Sequence, residues 1–320
     1  MMHVVVTGAS GFVGRALCRT LIENGHRVTA IVRRPGVVPP GVDEWMYDMP
    51  EFADIGARWL PAHGTVDCVV HLAARAHVLK ESTVDSDAGF RAINVEGMLR
   101  VAEAAHRHGV RRFVFVSSIK AIGETDGGQP LREDSPARPE DAYGRSKRDA
   151  EVLLQQFDKS TGLEAVIVRP PLVYGPEVRA NFLRMMDAVW RGLPLPLGAV
   201  SARRSIVSVD NLADALLRCT MDPRAAHQTF HVADDDPPSV AELLRMVGDA
   251  LGRPARLFPV PLAALRFAGR LTGRNAQVQR LTGSLQLDTS KLRRTLDWRP
   301  VRTTRDGLKA TAAWYKNNHA

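Results

Sequence analysis

A glycine-rich turn near the amino terminus constrains the fold more than any other feature of the sequence. A β-branched run over residues 3–7 leads directly into three glycines with GxxGxxG spacing, Gly8, Gly11 and Gly14. Apolar residues then recur at helical spacing from Phe12 to Leu21. Glycine is needed here because a tight turn requires unusual dihedral angles and because a pyrophosphate must approach the backbone closely. The phosphates would also meet free N–H groups and the positive end of a helix dipole. This context predicts a dinucleotide-binding turn formed by Gly8, Ser10, Gly11, Phe12, Val13 and Gly14.

Strand-like and helix-like segments alternate through the first half of the chain. Short apolar strands are predicted at 3–7, 27–32, 45–47, 68–72, 112–117 and 164–169. Amphipathic helices are predicted around the apolar stripe from Val95 to Ala105 and from Tyr143 to Phe157. This alternation predicts an α/β fold of Rossmann type, a doubly wound parallel sheet with helices on both faces.

The composition of the sequence changes after Tyr174. Prolines become frequent, and shorter helices are predicted at 210–221 and 239–251. We therefore predict a dinucleotide-binding domain over residues 1–175, whose sheet is completed by segments near 205–232, and a smaller carboxyl-terminal substrate lobe over residues 176–320.

Composition excludes several classes of function. The 320 residues are 45% hydrophobic and 24% charged, which is typical of a folded domain and not of a disordered chain. The net charge of +8 comes from basic residues spread along the chain without interleaved aromatic residues, so a nucleic-acid partner is not favoured. The three cysteines are far apart, and no metal site is predicted. Because no signal segment or long apolar run is evident, we expect a cytoplasmic protein without a membrane partner.

The end of the second predicted strand bears on the choice of dinucleotide. A carboxylate at this place would accept the adenosine ribose hydroxyls and repel a 2′-phosphate. The chain instead has Arg33 and Arg34 directly after Val32. This favours NADP over NAD, with a solvated arginine pair as the alternative interpretation and NAD as the alternative cofactor. Asp48, after the third predicted strand, is a candidate partner of the adenine amine or a solvated turn residue.

A serine, a tyrosine and a lysine follow in an order typical of hydride-transfer chemistry. Ser118 directly follows the fifth predicted strand. Tyr143 and Lys147 are four residues apart, so both point from one face of a helix. A phenol with an ordinary pKa of about 10 is a poor base at neutral pH. We expect the Lys147 ammonium to lower the pKa of Tyr143. We also expect the Ser118 hydroxyl to polarise a substrate carbonyl.

These motifs together resemble the extended short-chain dehydrogenase/reductase family. The resemblance covers nearly the whole chain and includes the glycine turn, His71-Leu72-Ala73-Ala74, Asn94-Val95-Glu96-Gly97, Ser118, Tyr143 and Lys147. It implies a Rossmann-type cofactor domain with a small lobe for a nucleotide sugar, and it implies that Ser118, Tyr143 and Lys147 are catalytic. Ser117 resembles a structural serine of the family. The further cofactor contacts implied are Leu72, Ala73, Ala74, Asn94, Tyr143, Lys147 and Pro170.

The resemblance also implies a substrate site. Arg204 is similar to an arginine that holds uridine diphosphate in nucleotide-sugar epimerases, and guanidinium suits that task because it meets phosphate oxygens bidentately. Arg293 is a second candidate for the diphosphate, with a solvated helix face as the alternative. Asn181 matches a position near the diphosphate, and Lys120 is expected to contact a sugar substituent or phosphate.

Three reactions compete within the family. Dehydratases carry an Asp-Glu pair directly after the catalytic serine, whereas this chain has Ile119 and Lys120. Three longer sequence segments are similar to those of bacterial reductases of UDP-4-keto-6-deoxy-N-acetylhexosamines, which serve surface polysaccharide synthesis. They are residues 116–120, 169–176 and 191–198. The sequence therefore favours a 4-reductase, with a UDP-hexose 4-epimerase that retains NAD as the alternative and a non-catalytic NADP-binding sensor as a remote one. A homodimer through the two helices that carry Val95 to Ala105 and Tyr143 to Phe157 is also expected from the resemblance.

Overall fold

The computed structural model describes residues 1–59, 64–76, 83–273 and 275–319. Nine strands are formed in these ranges, mostly from short β-branched or aromatic runs that become buried. They are β1 His3–Thr7, β2 Arg27–Val32, β3 Asp43–Met46, β4 Cys68–His71, β5 Arg112–Val116, β6 Glu164–Arg169, β7 Leu172–Tyr174, β8 Ile206–Ser208 and β9 Thr229–His231.

Eleven α-helices connect or follow these strands in the described ranges. They are α1 Phe12–Glu23, α2 Thr83–Phe90, α3 Met98–Arg107, α4 Ala142–Thr161, α5 Ala180–Trp190, α6 Val209–Met221, α7 Val240–Leu251, α8 Leu262–Leu271, α9 Asn275–Thr282, α10 Ser290–Leu296 and α11 Thr304–His319. A π-helical turn, Arg91–Gly97, joins α2 to α3, so the helix predicted from the stripe at Val95 begins with a wider turn than expected.

Seven parallel strands form the main sheet in the order β3-β2-β1-β4-β5-β6-β9. The prediction of a doubly wound parallel α/β sheet is confirmed. Of the segments near 205–232, β9 joins this sheet, whereas β8 pairs with β7 in a separate two-stranded sheet. The strand order reverses beside β1, between β1 and β4, and a crevice at such a switch point is where open α/β sheets bind ligands.

Apolar side chains cover both faces of the sheet. Leu17 of α1 and Leu216 of α6 belong to the cluster on one face, and Val101 of α3 and Leu154 of α4 belong to the cluster on the other. A third cluster lies in the carboxyl-terminal half, where α5, α7 and α11 contribute residues such as Phe182 and Leu244. These packed layers fix the carboxyl ends of β1, β4 and β5, where the candidate site lies.

Candidate active site

The glycine turn at the end of β1 leaves no room for side chains. Gly8 has a φ of +68°, and a Cβ built on it would lie 2.7 Å from the backbone nitrogen of Ala73. A Cβ on Gly14 would lie 2.3 Å from the carbonyl oxygen of Gly8. The helix α1 begins with no side-chain cap at Gly11 and no acidic residue in its first turn. The turn therefore offers uncapped N–H groups and the positive end of a helix dipole to an anion, which fits the pyrophosphate of a dinucleotide.

Thr7 holds the two strands of the switch point together beneath this turn. Its hydroxyl accepts hydrogen bonds from the backbone N–H groups of Leu72 at 3.2 Å and Ala73 at 3.1 Å. The same hydroxyl lies 3.0 Å from Nδ1 of the buried His71. The backbone after β4 is thus held in the space that a side chain at position 8 would occupy. This explains why a residue larger than glycine is excluded at position 8.

The segment after β2 is exposed. Arg33 and Arg34 are both solvent-exposed, and no acidic partner is found for either among the described residues. The carboxylate of Glu44 accepts hydrogen bonds from the backbone N–H groups of Gly36 at 2.9 Å and Val37 at 3.2 Å, which anchors the loop that carries them. Asp48 is exposed, and its carboxylate lies 3.9 Å from the guanidinium of Arg58.

Ser118 and Tyr143 come together at the carboxyl end of β5. Ser118 caps a short 3-10 turn, since its hydroxyl accepts a hydrogen bond from the N–H of Lys120 at 3.3 Å. The pKa of Tyr143 is raised to about 12, mainly by burial and also by the carboxylate of Asp141, while a hydrogen bond with the Ser118 side chain acts in the opposite direction. The phenol is therefore held protonated at neutral pH.

The pKa of Tyr143 is raised although Lys147 lies near it, whereas the sequence led us to expect a lowered pKa. The Lys147 ammonium donates a hydrogen bond to the carbonyl oxygen of Val116 at 2.9 Å, and it lies 6.0 Å from the centre of the Tyr143 ring. Burial lowers the pKa of Lys147 to about 7, with Glu151 acting in the opposite direction. The four-residue spacing places both groups on one helix face, but desolvation weakens the charge on which the expectation depends.

A buried ion pair separates the roles of the two adjacent serines. The hydroxyl of Ser117 donates a hydrogen bond of 2.6 Å to Glu151. The same carboxylate accepts hydrogen bonds of 2.8 Å from Nε and 2.8 Å from an Nη of Arg169. Both charged side chains are almost fully buried. Ser117 is therefore committed to anchoring α4 against β5 and β6, while Ser118 faces Tyr143.

Asn94 supports the same helix from the π-helical turn. Its side chain accepts a hydrogen bond from the N–H of Arg75 at 2.8 Å and donates one to the Ser146 hydroxyl at 2.9 Å. Ser146 in turn donates to the carbonyl oxygen of Tyr143 at 2.8 Å. Asn94 is buried, so in this structure it positions the tyrosine-bearing turn of α4.

A cluster of opposite charges joins the serine-bearing turn to the start of α4. The ammonium of Lys120 lies 2.6 Å from the carboxylate of Asp141 and 3.1 Å from that of Glu124. Asp141 also caps α4 by accepting a hydrogen bond from the N–H of Gly144 at 2.7 Å. Lys120 was expected to contact a sugar substituent or phosphate, and here its charge is matched by two carboxylates.

Arg280 is the residue in this region that sequence reasoning missed. Its guanidinium lies 2.6 Å from the carboxylate of Glu124 and 3.7 Å from that of Asp141. Arg204 donates hydrogen bonds to the carbonyl oxygens of Arg280 at 2.7 Å and Gly283 at 2.9 Å. Two guanidinium groups thus lie on adjoining segments beside the serine-bearing turn. No spacing in the sequence signals this, because Arg280 meets Glu124 across more than 150 residues.

Comparison with known proteins identifies the family. The model of the NAD dependent epimerase/dehydratase family matches residues 4–233, which is more than half of the chain. The chain belongs to this family. The resemblance to extended short-chain dehydrogenases/reductases is thereby confirmed.

Relatives in this family carry different reaction names. A protein named UDP-glucose 4-epimerase from Vibrio cholerae is 39% identical over 97% of this chain and 94% of its own length. A protein named dTDP-glucose 4,6-dehydratase from Streptomyces griseus is 28% identical over 99% of this chain and 95% of its own length. The structure of Thermus thermophilus UDP-glucose 4-epimerase in complex with NAD is 25% identical, covers 99% of this chain and 100% of its own, and superposes with a TM-score of 0.78.

Two of the expected substrate residues, Arg293 and Asn181, make no described contact with the charge cluster around Lys120 and Asp141. Arg293 pairs with Asp235 and lines an open pocket of about 540 Å³ that includes Gln129 and Arg132. Asn181 is exposed in the first turn of α5. No described contact joins either residue to Arg204, so the structure does not bring these three candidates together.

The remaining candidate cofactor residues lie around the switch point with differing exposure. Ser10 and Ala74 are exposed, Phe12, Val13, Leu72 and Ala73 are half-buried, and Pro170 is buried. The carbonyl oxygen of Pro170 accepts a hydrogen bond from the N–H of Ile119 at 3.0 Å, which ties the end of β6 to the serine-bearing turn.

In the described part of the chain, no group of His, Cys, Asp and Glu side chains is arranged to hold a metal ion, and none of the helices is both long and apolar enough to cross a bilayer.

Proposed function

We propose that the protein transfers a hydride at C4 of a UDP-hexose and that its net reaction is 4-epimerisation with NAD retained between turnovers. The observation that carries the proposal is that the Ser118 side chain interacts with the Tyr143 phenol at the same edge of the parallel sheet as the uncapped N–H groups of the glycine turn. The relative from Vibrio cholerae, matched over nearly the whole chain, bears the name of this activity.

The side chains would handle the proton and the orientation of the sugar. A bound nicotinamide dinucleotide supplies the hydride chemistry that no side chain can provide. Ser118 would hold the oxygen on C4, and Tyr143 would take the proton of the C4 hydroxyl and return it after the 4-keto sugar has turned over. Because the pKa of Tyr143 is raised to about 12 and that of Lys147 is lowered to about 7, proton removal would require Lys147, one helical turn away, to be charged when the substrate is bound.

The diphosphate of the nucleotide sugar would bind between the carboxyl-terminal half and the serine-bearing turn. Arg204 and Arg280 are on adjoining segments there, and guanidinium groups meet phosphate oxygens with paired hydrogen bonds. Arg280 pairs with Glu124 and Asp141 in this structure, so a bound diphosphate would replace these carboxylates as its partner. We therefore add Arg280 to the proposed substrate residues, with Arg204. Arg293 and Asn181 stay predictions for the diphosphate side of the ligand, and the homodimer stays a prediction from the family resemblance.

Dehydration is disfavoured by the two residues that follow Ser118. Elimination across C5 and C6 requires one group that removes a proton and another that protonates the leaving hydroxyl. Ile119 is a buried hydrocarbon, and Lys120 is paired with two carboxylates. We therefore do not propose a 4,6-dehydratase.

A second candidate function is reduction of a UDP-4-keto-6-deoxy-N-acetylhexosamine by a dissociable cofactor. Two observations favour it. Tyr143 is protonated at neutral pH, which is the form that delivers a proton to the oxygen when a hydride arrives at C4. Arg33 and Arg34 are exposed after β2 and could hold the 2′-phosphate of NADP. NADP is therefore the cofactor of this second proposal and NAD that of the first.

One experiment with two arms separates the candidates. The purified protein is incubated with UDP-GlcNAc or UDP-glucose without added cofactor, and the configuration at C4 is followed by proton NMR. In the second arm it is given UDP-4-keto-6-deoxy-GlcNAc with NADPH or NADH, and loss of the reduced-nicotinamide absorbance is recorded. Interconversion of C4 epimers with no consumption of cofactor supports the epimerase. Stoichiometric oxidation of NADPH without epimer formation supports the reductase, and inactivity in both arms with intact protein contradicts the proposal.

A further inference from the structure

The helix α8 exposes an apolar stripe to solvent. Ala264, Phe267, Ala268 and Leu271 recur at i, i+3, i+4 and i+7, which places them on one face of the helix. All four are exposed, and the large side chains of Phe267 and Leu271 are 63% and 72% accessible. A stripe with this spacing normally faces a core, so its exposure indicates a surface that is covered by a partner.

The opposite side of the same helix is already used for packing. Leu262 and Leu265 pack against the apolar cluster of the carboxyl-terminal half, and Gly269 is buried. The exposed stripe is therefore a second apolar face and not the face that attaches α8 to the protein. Leu281, in the last turn of α9, is also 41% accessible and adds an exposed apolar side chain beyond α8 in sequence.

The charged residues near the stripe in sequence are all arginines. Residues 250–287 contain six arginines and no aspartate, glutamate or lysine. Within α8 itself, Arg266 and Arg270 are exposed, lie one helical turn apart, and have no hydrogen-bond or ion-pair partner among the described residues. Arginines that border an apolar helical face are the pattern of a helix that lies in the interface of an anionic bilayer.

We propose that α8 is a peripheral membrane-binding element that inserts Phe267 and Leu271 among the acyl chains and places Arg266 and Arg270 at anionic lipid headgroups. This differs from the expectation of no membrane partner, which considered only spanning segments. The stripe was not visible from the sequence because apolar residues in a helix are ordinarily assigned to the core, and only the structure shows which face is uncovered. The alternative occupant, a second copy of the chain, has no charge complement here because both faces would be positive.

The test is co-sedimentation of the full-length protein with vesicles. Phosphatidylcholine vesicles that contain about one quarter phosphatidylglycerol are compared with vesicles of phosphatidylcholine alone, at low and at raised salt. We expect binding to the anionic vesicles only, weakened by salt. The double variant Phe267→Ser/Leu271→Ser should lose at least about tenfold in partition coefficient, while Val301→Ser, at a 59% accessible valine elsewhere, should not.

A charge-reversal pair separates local from global electrostatics. Arg266→Glu/Arg270→Glu should abolish binding, whereas Arg19→Glu/Arg305→Glu makes the same change in net charge on other exposed arginines and should retain it. Circular dichroism and thermal midpoints verify that each variant is folded. Equal losses in both charge-reversal variants, or no binding of the wild type to anionic vesicles, would overturn the proposal. A serine variant that changes only the elution volume in gel filtration would instead identify the stripe as a contact between copies, which also overturns it.

Discussion

Substitution of Gly8 by alanine isolates the steric demand of the dinucleotide turn from backbone strain. Gly8 and Gly25 have nearly the same left-handed backbone, with φ of +68° and +75°. An alanine costs about 1–2 kcal/mol at such a dihedral angle, less about 0.4–1 kcal/mol gained by restricting the unfolded chain. The two glycines differ in their surroundings, because a Cβ at Gly25 meets nothing within 4 Å while one at Gly8 lies 2.7 Å from the nitrogen of Ala73.

The expected magnitudes follow from this difference. Gly25→Ala should lower the free energy of unfolding by about 1 kcal/mol and leave dinucleotide affinity unchanged. Gly8→Ala should add about 1–3 kcal/mol for overpacking against Ala73. The turn must move to relieve the contact, and the loss of two N–H to phosphate hydrogen bonds at about 1.5 kcal/mol each should weaken NAD binding by about a hundredfold.

Urea denaturation measures the first quantity and isothermal titration calorimetry with NAD measures the second. The difference between the two alanine variants cancels the cost of the left-handed backbone, because both positions have a similar positive φ. If Gly8→Ala bound NAD as tightly as Gly25→Ala, or if both lost the same stability, the argument that a close backbone approach defines this turn would be refuted.

Three further outcomes are expected. Asp141→Asn keeps the cap of α4 but removes a charge that raises the pKa of Tyr143, so the rising limb of the pH–rate profile for epimerisation should move to lower pH; an unmoved limb would contradict the assigned base. Glu151→Gln leaves Arg169 buried without its carboxylate and should cost about 3–5 kcal/mol in urea unfolding, and a loss below about 1 kcal/mol would show that the pair is not stabilising. Arg280→Ala should raise KM for the UDP-sugar about tenfold or more with a smaller effect on kcat, and an unchanged KM would remove it from the diphosphate site.

The glycine turn and the alternating pattern could be predicted because their requirements are local. Gly8 and Gly14 are dictated by contacts within the turn or with the adjoining strand, and the strands of the sheet are short enough to be recognised from their apolar composition. The four-residue spacing of Tyr143 and Lys147 likewise predicts a shared helix face without knowledge of the rest of the fold.

Long-range electrostatics could not be predicted in the same way. Nothing in the sequence indicates that the ammonium of Lys147 donates to Val116 or that burial lowers its pKa to about 7. Glu151 is part of an ordinary-looking charged helix in sequence, yet in the structure it is buried against Arg169. Arg280 meets Glu124 only after the chain has crossed into the carboxyl-terminal half, so its place depends on tertiary packing.

In the reaction we propose, Tyr143 carries the proton of the C4 oxygen beside a bound dinucleotide. The most direct test of this claim is the variant Tyr143→Phe, with turnover and the dissociation constant for NAD or NADPH measured on the same preparation. The claim predicts that turnover of whichever UDP-sugar the wild type converts falls by about a hundredfold or more while dinucleotide affinity is kept. A phenylalanine variant that converts the sugar at the wild-type rate would contradict it.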